Sequence, residues 1–326
     1  MRKFRAFLAL SAAAMVFAGG CGTTEDPQNT TGETAAAGAP VTVVDSRGKE
    51  VRLDAPAKRV AATEWNAVEH LVSLGVMPTA VSDIQGYGQW VSAAPLDGTP
   101  KDIGTRGEPS IDTLGSLDLD LVVVTDSLTE GALEQIEAKI PVVVLAGGDV
   151  KDPIGAMFAN VDLLAKATGT EAKAAQLRTE FDNKIAEGKA AVEQAGAAGQ
   201  PVAFSDSYVT SGTVSIRPFA KGALVPAVFE RLGLTNPWTM PGDAVYGLAQ
   251  ADVEGLTQLP DVHFWYMAND TFGDAYADEL AGNAIWQKLP FVVSGKVRKL
   301  PSSLWMFGGP KSMEQYVDAA VNALKS

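Results

Sequence analysis

The sequence LVVVTDSLTEGALEQIEAKIPVVVL, residues 121–145, decides the fold class. It begins and ends with short runs of aliphatic and β-branched residues, and each run is typical of a strand that is buried on both faces. Between these runs, apolar residues recur at a helical spacing among charged ones. A strand, a helix and a second strand in this order predict a parallel βαβ unit.

The same alternation extends along the chain in both directions. Towards the N-terminus, VTVV at 41–44 and RVAAT at 59–63 predict strands, and NAVEHLVSLGV at 66–76 predicts a helix. Towards the C-terminus, VAFSD at 202–206 and VHFWYM at 262–267 predict a second group of strands. Strands that alternate with helices favour parallel sheets that are covered by helices on both faces. We therefore expect an α/β fold with two Rossmann-like lobes.

A long stretch without strand signals separates the two groups of strands. Leu177 and Phe181 lie four residues apart among charged residues, which is the pattern of an amphipathic helix on the surface. We predict one long helix over residues 161–197 that bridges the lobes. The N-terminal lobe (N-lobe) is then expected to cover residues 41–160 and the C-terminal lobe (C-lobe) residues 198–326.

The first forty residues differ in composition from the rest of the chain. Residues 1–20 combine a positively charged start with an apolar run that is short for a transmembrane helix, which is typical of a secretory signal peptide. The run ends in AGGC and resembles a bacterial lipobox, so we expect Cys21 to carry lipid and to hold the protein on the outer face of a membrane. Residues 21–40 are expected to form a flexible tether. A secreted form without lipid is the alternative, because Ala18 stands where a lipobox usually has leucine.

Cysteine content and charge exclude several classes of protein. Cys21 is the only cysteine in 326 residues, so the chain has no internal disulfide and no cysteine cluster for zinc or an iron–sulfur centre. The formal net charge is −13, and it becomes −16 once the three positive charges of residues 1–20 are removed. An acidic chain without a basic run is not expected to bind nucleic acid.

The sequence also lacks the common enzyme motifs. It contains no G-x-x-x-x-G-K-[ST], no G-x-S-x-G and no H-E-x-x-H. Its two histidines, His70 and His263, fall in a helical pattern and in an apolar strand, where structural roles are expected. Little material is left for acid–base or nucleophilic catalysis. We therefore predict a protein that is not an enzyme, with a secreted enzyme as the competing class.

Aromatic residues and arginines gather just after the predicted strands. In doubly wound sheets, ligands bind beyond the carboxyl ends of the strands. This location is shared by five aromatic residues, Trp65, Tyr87, Trp90, Tyr208 and Trp305. Arg106 lies in a glycine-flanked loop before a predicted helix, and Arg217 lies in the second group of strands. Because the pattern occurs in both lobes, it predicts one ligand site between them.

Two long stretches resemble a known family. Residues 59–124 contain EW, LGV.P.AV.D and G.R.EPS in this order, and they resemble the N-lobe of the substrate-binding proteins of iron–siderophore ABC importers. Within that family the ferric hydroxamate-binding and ferric citrate-binding groups are the most similar. Residues 284–313 similarly resemble the closing segment of the C-lobe. The resemblance implies the class III periplasmic-binding-protein fold, with one long helix between two lobes, and delivery of a ferric siderophore to an ABC permease.

The resemblance also implies roles for single residues. Arg106 matches the cleft arginine that hydrogen-bonds the iron-bound oxygens of the siderophore. Trp90 and Trp305 match cleft tryptophans, Trp65 is the tryptophan of the EW element, and Tyr246 stands where an aromatic residue is often found. One departure follows the LVVV strand, where TDSL replaces the large aromatic residues that hydroxamate binders can have.

The expected ligand brings its own metal coordination. A siderophore fills the coordination sphere of Fe(III), so the protein needs no cofactor and no metal ligands of its own. A ferric trihydroxamate is roughly neutral, with oxygens on one face and hydrocarbon around it, which suits a guanidinium and aromatic walls. Ferric citrate is the main alternative, since Arg106, Arg217 and Lys221 are available to meet its negative charge. Cobalamin and haem are further alternatives.

The resemblance finally implies partners in the membrane. In the family, one acidic residue on each lobe pairs with arginines of the permease subunits. Asp112 of PSID matches this residue in the N-lobe, with Glu108 as the alternative, and Glu254 of ADVEGL matches it in the C-lobe. We expect the protein to act as a monomer.

Overall fold

The structure, a computed structural model, describes residues 38–98 and 100–325. The predicted signal peptide at 1–20, Cys21 and most of the predicted tether lie outside the described residues.

The described chain begins with an antiparallel hairpin of two strands, β1 (Val41–Val44) and β2 (Glu50–Leu53). The VTVV strand therefore does not join a parallel sheet. Its turn instead lies against the strand that contains Val144: the Ser46 N–H donates to the Val144 carbonyl at 3.0 Å, and the Val144 N–H donates to the carboxylate of Asp45 at 3.3 Å. These bonds cover an edge that would otherwise expose unpaired backbone groups.

The N-lobe is built on a five-stranded parallel sheet. Its strands are β3 (Val60–Ala62), β4 (Ala80–Val81), β5 (Lys101–Asp102), β6 (Leu121–Thr125) and β7 (Val142–Leu145). Their order in the sheet is β5-β4-β3-β6-β7. The chain moves outward from β3 to β5 and then returns to the other side of β3, so the order reverses between β3 and β6. In open α/β sheets a ligand site lies beyond the carboxyl ends of the strands at such a point.

Helices cover both faces of this sheet. They are α1 (Trp65–Ser73), α2 (Ile84–Trp90), α3 (Ile111–Ser116) and α4 (Glu130–Glu137). The βαβ unit predicted from residues 121–145 is formed by β6, α4 and β7, with Val122 paired to Val142 in parallel register. Val123 packs into one hydrophobic core and Val122 into another, because successive side chains of a strand point to opposite faces of the sheet.

The connection between the lobes consists of two helices rather than one. The single helix predicted over 161–197 is wrong in its first part, because α5 (Pro153–Thr168) ends there and α6 (Glu171–Gln194) begins three residues later. Gly169 has φ of 70° and closes α5 in the left-handed conformation. Glycine adopts this conformation without the steric penalty that a Cβ brings, and it is the usual residue after the end of a helix.

The longer of the two helices, α6, runs along both lobes. Its Leu177 packs in the core that contains the N-lobe strands, and its Phe181 and Val192 pack in the core of the C-lobe. The amphipathic spacing read from the sequence therefore reflects one buried stripe shared by two cores.

The C-lobe contains a mixed four-stranded sheet. Its strands are β8 (Val202–Thr210), β9 (Thr213–Pro218), β10 (His263–Met267) and β11 (Val297–Lys299), in the order β11-β10-β8-β9. β8, β10 and β11 are parallel, and β9 pairs with β8 in antiparallel orientation. The helices are α7 (Leu224–Arg231), α8 (Pro290–Val293) and α9 (Pro310–Lys325), with short turns at Gly255–Gln258, Tyr276–Leu280 and Trp286–Lys288. No helix in the described part of the chain is long and apolar enough to cross a membrane.

Candidate functional site

A cavity of about 740 Å³ lies between the two lobes. Its walls are formed by the segments that follow the carboxyl ends of β3 and β6 in the N-lobe and of β10 and β11 in the C-lobe, together with the β8–β9 hairpin. A volume of this size is in the range of small-molecule sites in proteins. The position agrees with the expectation that both lobes contribute a ligand site at the ends of their parallel strands.

The N-lobe wall is made by three short segments. Glu64 and Trp65 stand where β3 passes into α1, and Trp90 is the last residue of α2. Arg106 lies in the loop between β5 and α3. The segments of Glu64, Trp65 and Arg106 follow strands of one parallel sheet, and the carboxyl ends of such strands lie at the same edge. The side chains therefore meet although Glu64 and Arg106 are 42 positions apart in sequence.

Arg106 is held by one carboxylate and two indole rings. Its Nη1 lies 3.3 Å from Oε2 of Glu64. Its Cζ lies 4.0 Å from the ring centroid of Trp65 and 5.6 Å from that of Trp305. Arginine stacks well on aromatic faces, and stacking leaves the N–H groups at the edge of the guanidinium free to donate. Burial raises the pKa of Glu64, and the Arg106 charge acts in the opposite direction.

Aromatic side chains from both lobes meet along the cavity. Trp305, from the loop after β11, contacts Trp65 with ring centroids 4.9 Å apart and Trp90 with centroids 5.9 Å apart. Phe307 lies 5.3 Å from Trp305, and Phe272 stacks on Trp90 at 5.8 Å. Edge-to-face and offset-stacked pairs at these distances are favourable beyond the area that they bury. The aromatic wall is therefore continuous across the lobe boundary.

Two indole N–H groups in this wall have no hydrogen-bond partner among the described residues. They belong to Trp65 and Trp305, which are only 5 % and 8 % exposed. Buried polar groups are normally satisfied in proteins. Both residues line the cavity.

The C-lobe wall contains a second arginine with its own carboxylate. Asp206 of β8 and Arg217 of β9 face each other in the antiparallel register. The Arg217 Nε donates to Oδ1 of Asp206 at 2.8 Å, and its Nη2 contacts Oδ2, so the pair is bidentate. Burial raises the pKa of Asp206, and the hydrogen bond from Arg217 lowers it. The guanidinium carbon lies 5.4 Å from the Phe307 ring.

The mouth of the cavity is partly apolar and partly acidic. Phe272 is 65 % exposed there, and Tyr208 is also exposed. Asp278 and Glu279, in the short turn after β10, complete the rim. Tyr246 also lines the cavity, and burial raises the pKa of its hydroxyl to about 12. The hydroxyl of a tyrosine is protonated at neutral pH and can donate a hydrogen bond.

Seven of the eight residues predicted to bind ligand line this one cavity. They are Arg106, Trp90, Trp305, Trp65, Tyr246, Tyr208 and Arg217.

The remaining residue, Tyr87, lies outside the cavity, and the structure corrects this assignment. Its ring is buried in the N-lobe core, and its hydroxyl donates to the Ala94 carbonyl at 2.5 Å. Tyr87 and Trp90 are three residues apart on α2, but only Trp90 stands at the end of the helix beside the cavity. Lys221, expected to serve an anionic ligand, is likewise not part of the lining.

Several lining residues were missed by sequence reasoning. The most important are the carboxylates Glu64, Asp206, Asp278 and Glu279 and the aromatic residues Phe272 and Phe307. Asp206 had a usable signal, since it ends the apolar run VAFS at the position where strand-end ligand residues are expected. Phe272 had none, because its contact with Trp90 depends on how the two lobes are placed.

Behind the cavity, the lobes share a buried polar contact. Glu69 of α1 accepts hydrogen bonds from the N–H and Oγ of Ser312 on α9, at 2.9 and 2.7 Å. A Cβ on Gly308 would lie 2.3 Å from the Glu69 carboxylate, and one on Gly309 would lie 2.6 Å from the His70 imidazole. The two glycines are therefore required for the close approach of the lobes. We call Glu69, His70, Gly308, Gly309 and Ser312 the rear contact.

His263, the other histidine, is remote from the cavity. Its Nε2 lies 2.6 Å from Oε1 of Gln200. In residues 38–98 and 100–325, no three or more His, Cys, Asp or Glu side chains are grouped so that they could hold a metal ion.

Comparison with known proteins identifies the family. The family model described as "Periplasmic binding protein" matches residues 60–304. The chain belongs to this family, and its mixed α/β fold is that of the class III periplasmic binding proteins.

Two curated relatives illustrate the range of the similarity. The chain is 25% identical over 272 residues to the iron(3+)-hydroxamate-binding protein FhuD of Escherichia coli (strain K12), a match that covers 82% of this chain and 86% of the relative. It is 24% identical over 277 residues to the Fe(3+)-citrate-binding protein YfmC of Bacillus subtilis (strain 168), covering 83% of this chain and 81% of the relative.

A solved structure agrees with the fold. The siderophore-binding protein FhuD from Vibrio cholerae, crystallised with Fe3+-Desferal bound, superposes with a TM-score of 0.72 at 24% sequence identity. The superposition covers 82% of this chain and 97% of that one.

Proposed function

We propose that the protein is an extracytoplasmic receptor that binds a ferric siderophore, preferably a hydroxamate, and delivers it to an ABC importer. The observation that carries this proposal is the aromatic cavity between the lobes with Arg106 stacked on Trp65 at its wall. Two curated relatives bear the names of a hydroxamate-binding and a citrate-binding protein. The proposed role is binding and release, without chemical change of the ligand.

The geometry suits a ligand that carries its own metal coordination. The guanidinium of Arg106 has a single contact at 3.3 Å with Glu64, so most of its five N–H donors remain for ligand oxygens. The hydroxyl of Tyr246 adds a donor. The walls formed by Trp65, Trp90 and Trp305 cover hydrocarbon, and burial of apolar surface contributes about 25 cal/mol per Å².

Ferric citrate is the second candidate. It is supported by the similarity to YfmC. It needs cations in the cavity, and Lys221 lies outside the lining while both lining arginines already contact carboxylates. These contacts favour a hydroxamate. Cobalamin and haem are weaker alternatives, and both serve as comparison ligands in the titration described below.

Delivery to the permease is proposed to use one acidic residue on each lobe. Asp112 is exposed in the first turn of α3, where Ser110 caps the helix by accepting from the Thr113 N–H at 3.2 Å. Glu254 is exposed just before the turn at Gly255–Gln258, and Glu108 is exposed in the loop of Arg106. Exposed acids are suited to electrostatic docking with a partner that must also be released.

Lipid attachment at Cys21 is part of the proposal. It rests on the AGGC sequence after the apolar run, and two lipid chains suffice to hold a soluble domain at a membrane. We further propose that the chain binds and docks as a monomer, with the permease as its protein partner.

Titration with ferric chelates tests the binding proposal. Trp65, Trp90 and Trp305 line the cavity, so binding of a coloured ferric hydroxamate should quench tryptophan emission at a one-to-one ratio. The iron-free chelator and ferric citrate, cobalamin and haem are the comparison ligands. Saturable quenching by a ferric hydroxamate supports the proposal. Quenching by only one of the other ligands would identify that ligand as the substrate in place of a hydroxamate. Turnover of a ligand would show that the protein is an enzyme rather than a receptor.

Docking is tested separately in cells. The double variant Asp112→Lys/Glu254→Lys should abolish uptake of the ferric siderophore and leave binding in solution as in the wild type, because it reverses both proposed contacts with the permease. The matched control is Glu134→Lys/Glu193→Lys, which reverses two exposed helical acids elsewhere. Uptake that survives in the first variant would remove the docking roles of Asp112 and Glu254.

A further inference from the structure

The ionisable groups of the cavity are predominantly acidic. Its lining contains two arginines and five carboxylates, a formal charge of −3. Both arginines are already paired within the wall, Arg106 with Glu64 at 3.3 Å and Arg217 with Asp206 through two contacts. In the described residues, the lining therefore offers no cation whose charge is free of a neighbouring carboxylate.

The other three carboxylates lie together on the C-lobe side of the mouth. Asp274 pairs with Lys299 at 3.3 Å and accepts from the Tyr266 hydroxyl at 3.1 Å. Among the residues that the structure describes, Asp278 accepts only the Asp274 N–H, at 3.0 Å. Asp278 and Glu279 are exposed and form no ion pair within residues 38–98 and 100–325. Two negative charges at the rim thus remain after every pair has been counted.

The acids stand at the mouth of a cavity that has the features of a ligand site. Its volume of about 740 Å³ is in the range of small-molecule sites, and its wall is aromatic. The guanidinium of Arg106 has a single contact at 3.3 Å with Glu64, so most of its N–H groups are available to ligand oxygens. Unpaired carboxylates at the mouth of such a cavity attract a cationic ligand and repel an anionic one.

We propose that the cavity selects ferric chelates whose overall charge is zero or positive, and that Asp278 and Glu279 face a cationic group on the periphery of the ligand. This inference rests on the proposed function and adds the charge class of the substrate. A tris-hydroxamate complex of Fe(III) is neutral, because three hydroxamate anions balance the metal. A pendant amine makes the complex a monocation, whereas ferric citrate and tris-catecholate complexes are anions that would meet unpaired carboxylates.

Three chelates with one iron-binding core test the proposal. Ferrioxamine B has a free terminal amine and a charge of +1, its N-acetyl derivative is neutral, and its N-succinyl derivative is an anion. Their dissociation constants are measured by tryptophan quenching at low and at high salt. We expect the cation to bind tightest and the anion weakest, with a ratio of at least about tenfold at low salt that shrinks as salt is added.

Variants at the rim connect this ratio to the two carboxylates. In Asp278→Asn/Glu279→Gln, the ratio of anion to cation dissociation constants should fall to about twofold or less, since both unpaired charges are removed. The single variant Glu279→Gln has no hydrogen bond to lose among the described residues and should give part of this fall. The control Glu187→Gln/Glu193→Gln changes the net charge equally on the exposed face of α6 and should keep the wild-type ratio.

The outcomes separate this inference from the proposed function. Equal affinity for the three chelates, or an unchanged ratio in both rim variants, would overturn the charge selection alone. No quenching by any of the three would overturn the hydroxamate receptor and the charge selection together. A ratio that falls in the rim variants and holds in the α6 control is the result that we expect.

Discussion

The rear contact and the cavity both place carboxylates between the lobes, but they pair them differently. At the rear contact, Glu69 of the N-lobe accepts both of its Ser312 hydrogen bonds from the C-lobe. In the cavity, Glu64 pairs with Arg106 of its own lobe, and Asp206 pairs with Arg217 of its own lobe. The carboxylates thus pair across the lobe boundary at the rear contact and within each lobe at the cavity. The side-chain amide of Asn269, which lines the cavity, also crosses the boundary and donates to the Gln89 carbonyl at 2.8 Å.

This difference separates holding the lobes from binding the ligand. If the rear contact opened, water would replace the two hydrogen bonds from Ser312 to Glu69, and their net contribution of about 1.5–3 kcal/mol each for a charged acceptor would be lost. If the cavity is emptied, each wall still has its arginine and carboxylate paired. We therefore expect the cavity to exchange ligand while the lobes stay in place, and the packing of α5 and α6 in both cores acts in the same direction.

The largest effect is expected at the rear contact. Glu69→Ala should lower the free energy of unfolding by about 4 kcal/mol, because two buried donors of Ser312 lose their acceptor at about 2 kcal/mol each. Urea denaturation followed by circular dichroism measures this change. Glu134→Ala, an exposed acid on α4, is the control and should change stability by less than about 0.5 kcal/mol. A loss below about 1 kcal/mol in Glu69→Ala would show that the rear contact does not hold the lobes.

The pH dependence of stability gives the second test of the rear contact. Burial lowers the pKa of His70 from 6.5 to about 4. Between these values the unfolded chain takes up a proton that the folded chain does not, so stability is lost as the pH falls from 6.5 towards 4. Above pH 6.5 both states are neutral at this residue, and the contribution is constant. The full loss corresponds to about 3 kcal/mol.

The variant His70→Gln separates the contribution of His70 to the pH dependence of stability from that of Glu69. Burial raises the pKa of Glu69, which makes a contribution of the opposite sign, but Glu69 is present in both proteins when wild type is compared with His70→Gln. We expect the wild type to lose stability relative to His70→Gln by about 3 kcal/mol between pH 7 and pH 4. Parallel stability curves over this range would mean that His70 is reached by water in the folded protein.

The role of the cavity in ligand binding is tested at Arg106. Arg106→Ala should weaken binding of a ferric hydroxamate by about 2 kcal/mol, or about thirtyfold, the scale for a hydrogen bond from a charged donor. Arg106→Lys should recover little, because an ammonium has no planar fork of donors. Isothermal titration or tryptophan quenching measures both variants.

Arg178 provides a matched control for this measurement. Its Cζ lies 4.1 Å from the Phe158 ring and its Nη2 lies 2.8 Å from Asp162, so it makes the same kinds of contact as Arg106 outside the cavity. Arg178→Ala should leave the ligand affinity unchanged. Equal affinity in Arg106→Ala and wild type would assign Arg106 to the structure of the N-lobe rather than to ligand binding.

The sequence was sufficient for features whose signal is local. The βαβ unit at 121–145 follows from residue patterns alone, and the placement of Trp65 and Trp305 follows from the rule that ligands lie beyond strand ends. The end of α5 at Gly169 also had a local signal, because glycine commonly follows the last residue of a helix. The prediction of one helix over 161–197 followed the apolar spacing and overlooked this glycine.

Features that depend on distant segments could not be predicted. Glu69 and Ser312 are 243 positions apart, and no periodicity in either helix reveals that they meet. Tyr87 and Trp90 share one short helix, and only the packing of α2 against the N-lobe core decides which ring faces the cavity. The pairing of each arginine with a carboxylate of its own lobe is likewise a result of tertiary structure, although it determines the charge of the site.

The smallest effect is expected where the two arginine–carboxylate pairs are compared with each other. Glu64 has one contact of 3.3 Å with Arg106 and competes with ligand oxygens for its donors, whereas Asp206 holds Arg217 through two contacts. Glu64→Gln keeps the shape of the side chain and removes its charge, so the affinity for a ferric hydroxamate should rise by about two- to fivefold, or about 0.5–1 kcal/mol.

Asp206→Asn should give no such gain and should lower stability instead, because it weakens a bidentate contact at a buried position. Titrations and urea curves on the two variants measure both effects. A gain in affinity from Asp206→Asn, or none from Glu64→Gln, would show that the N-lobe arginine is not the one that the ligand competes for.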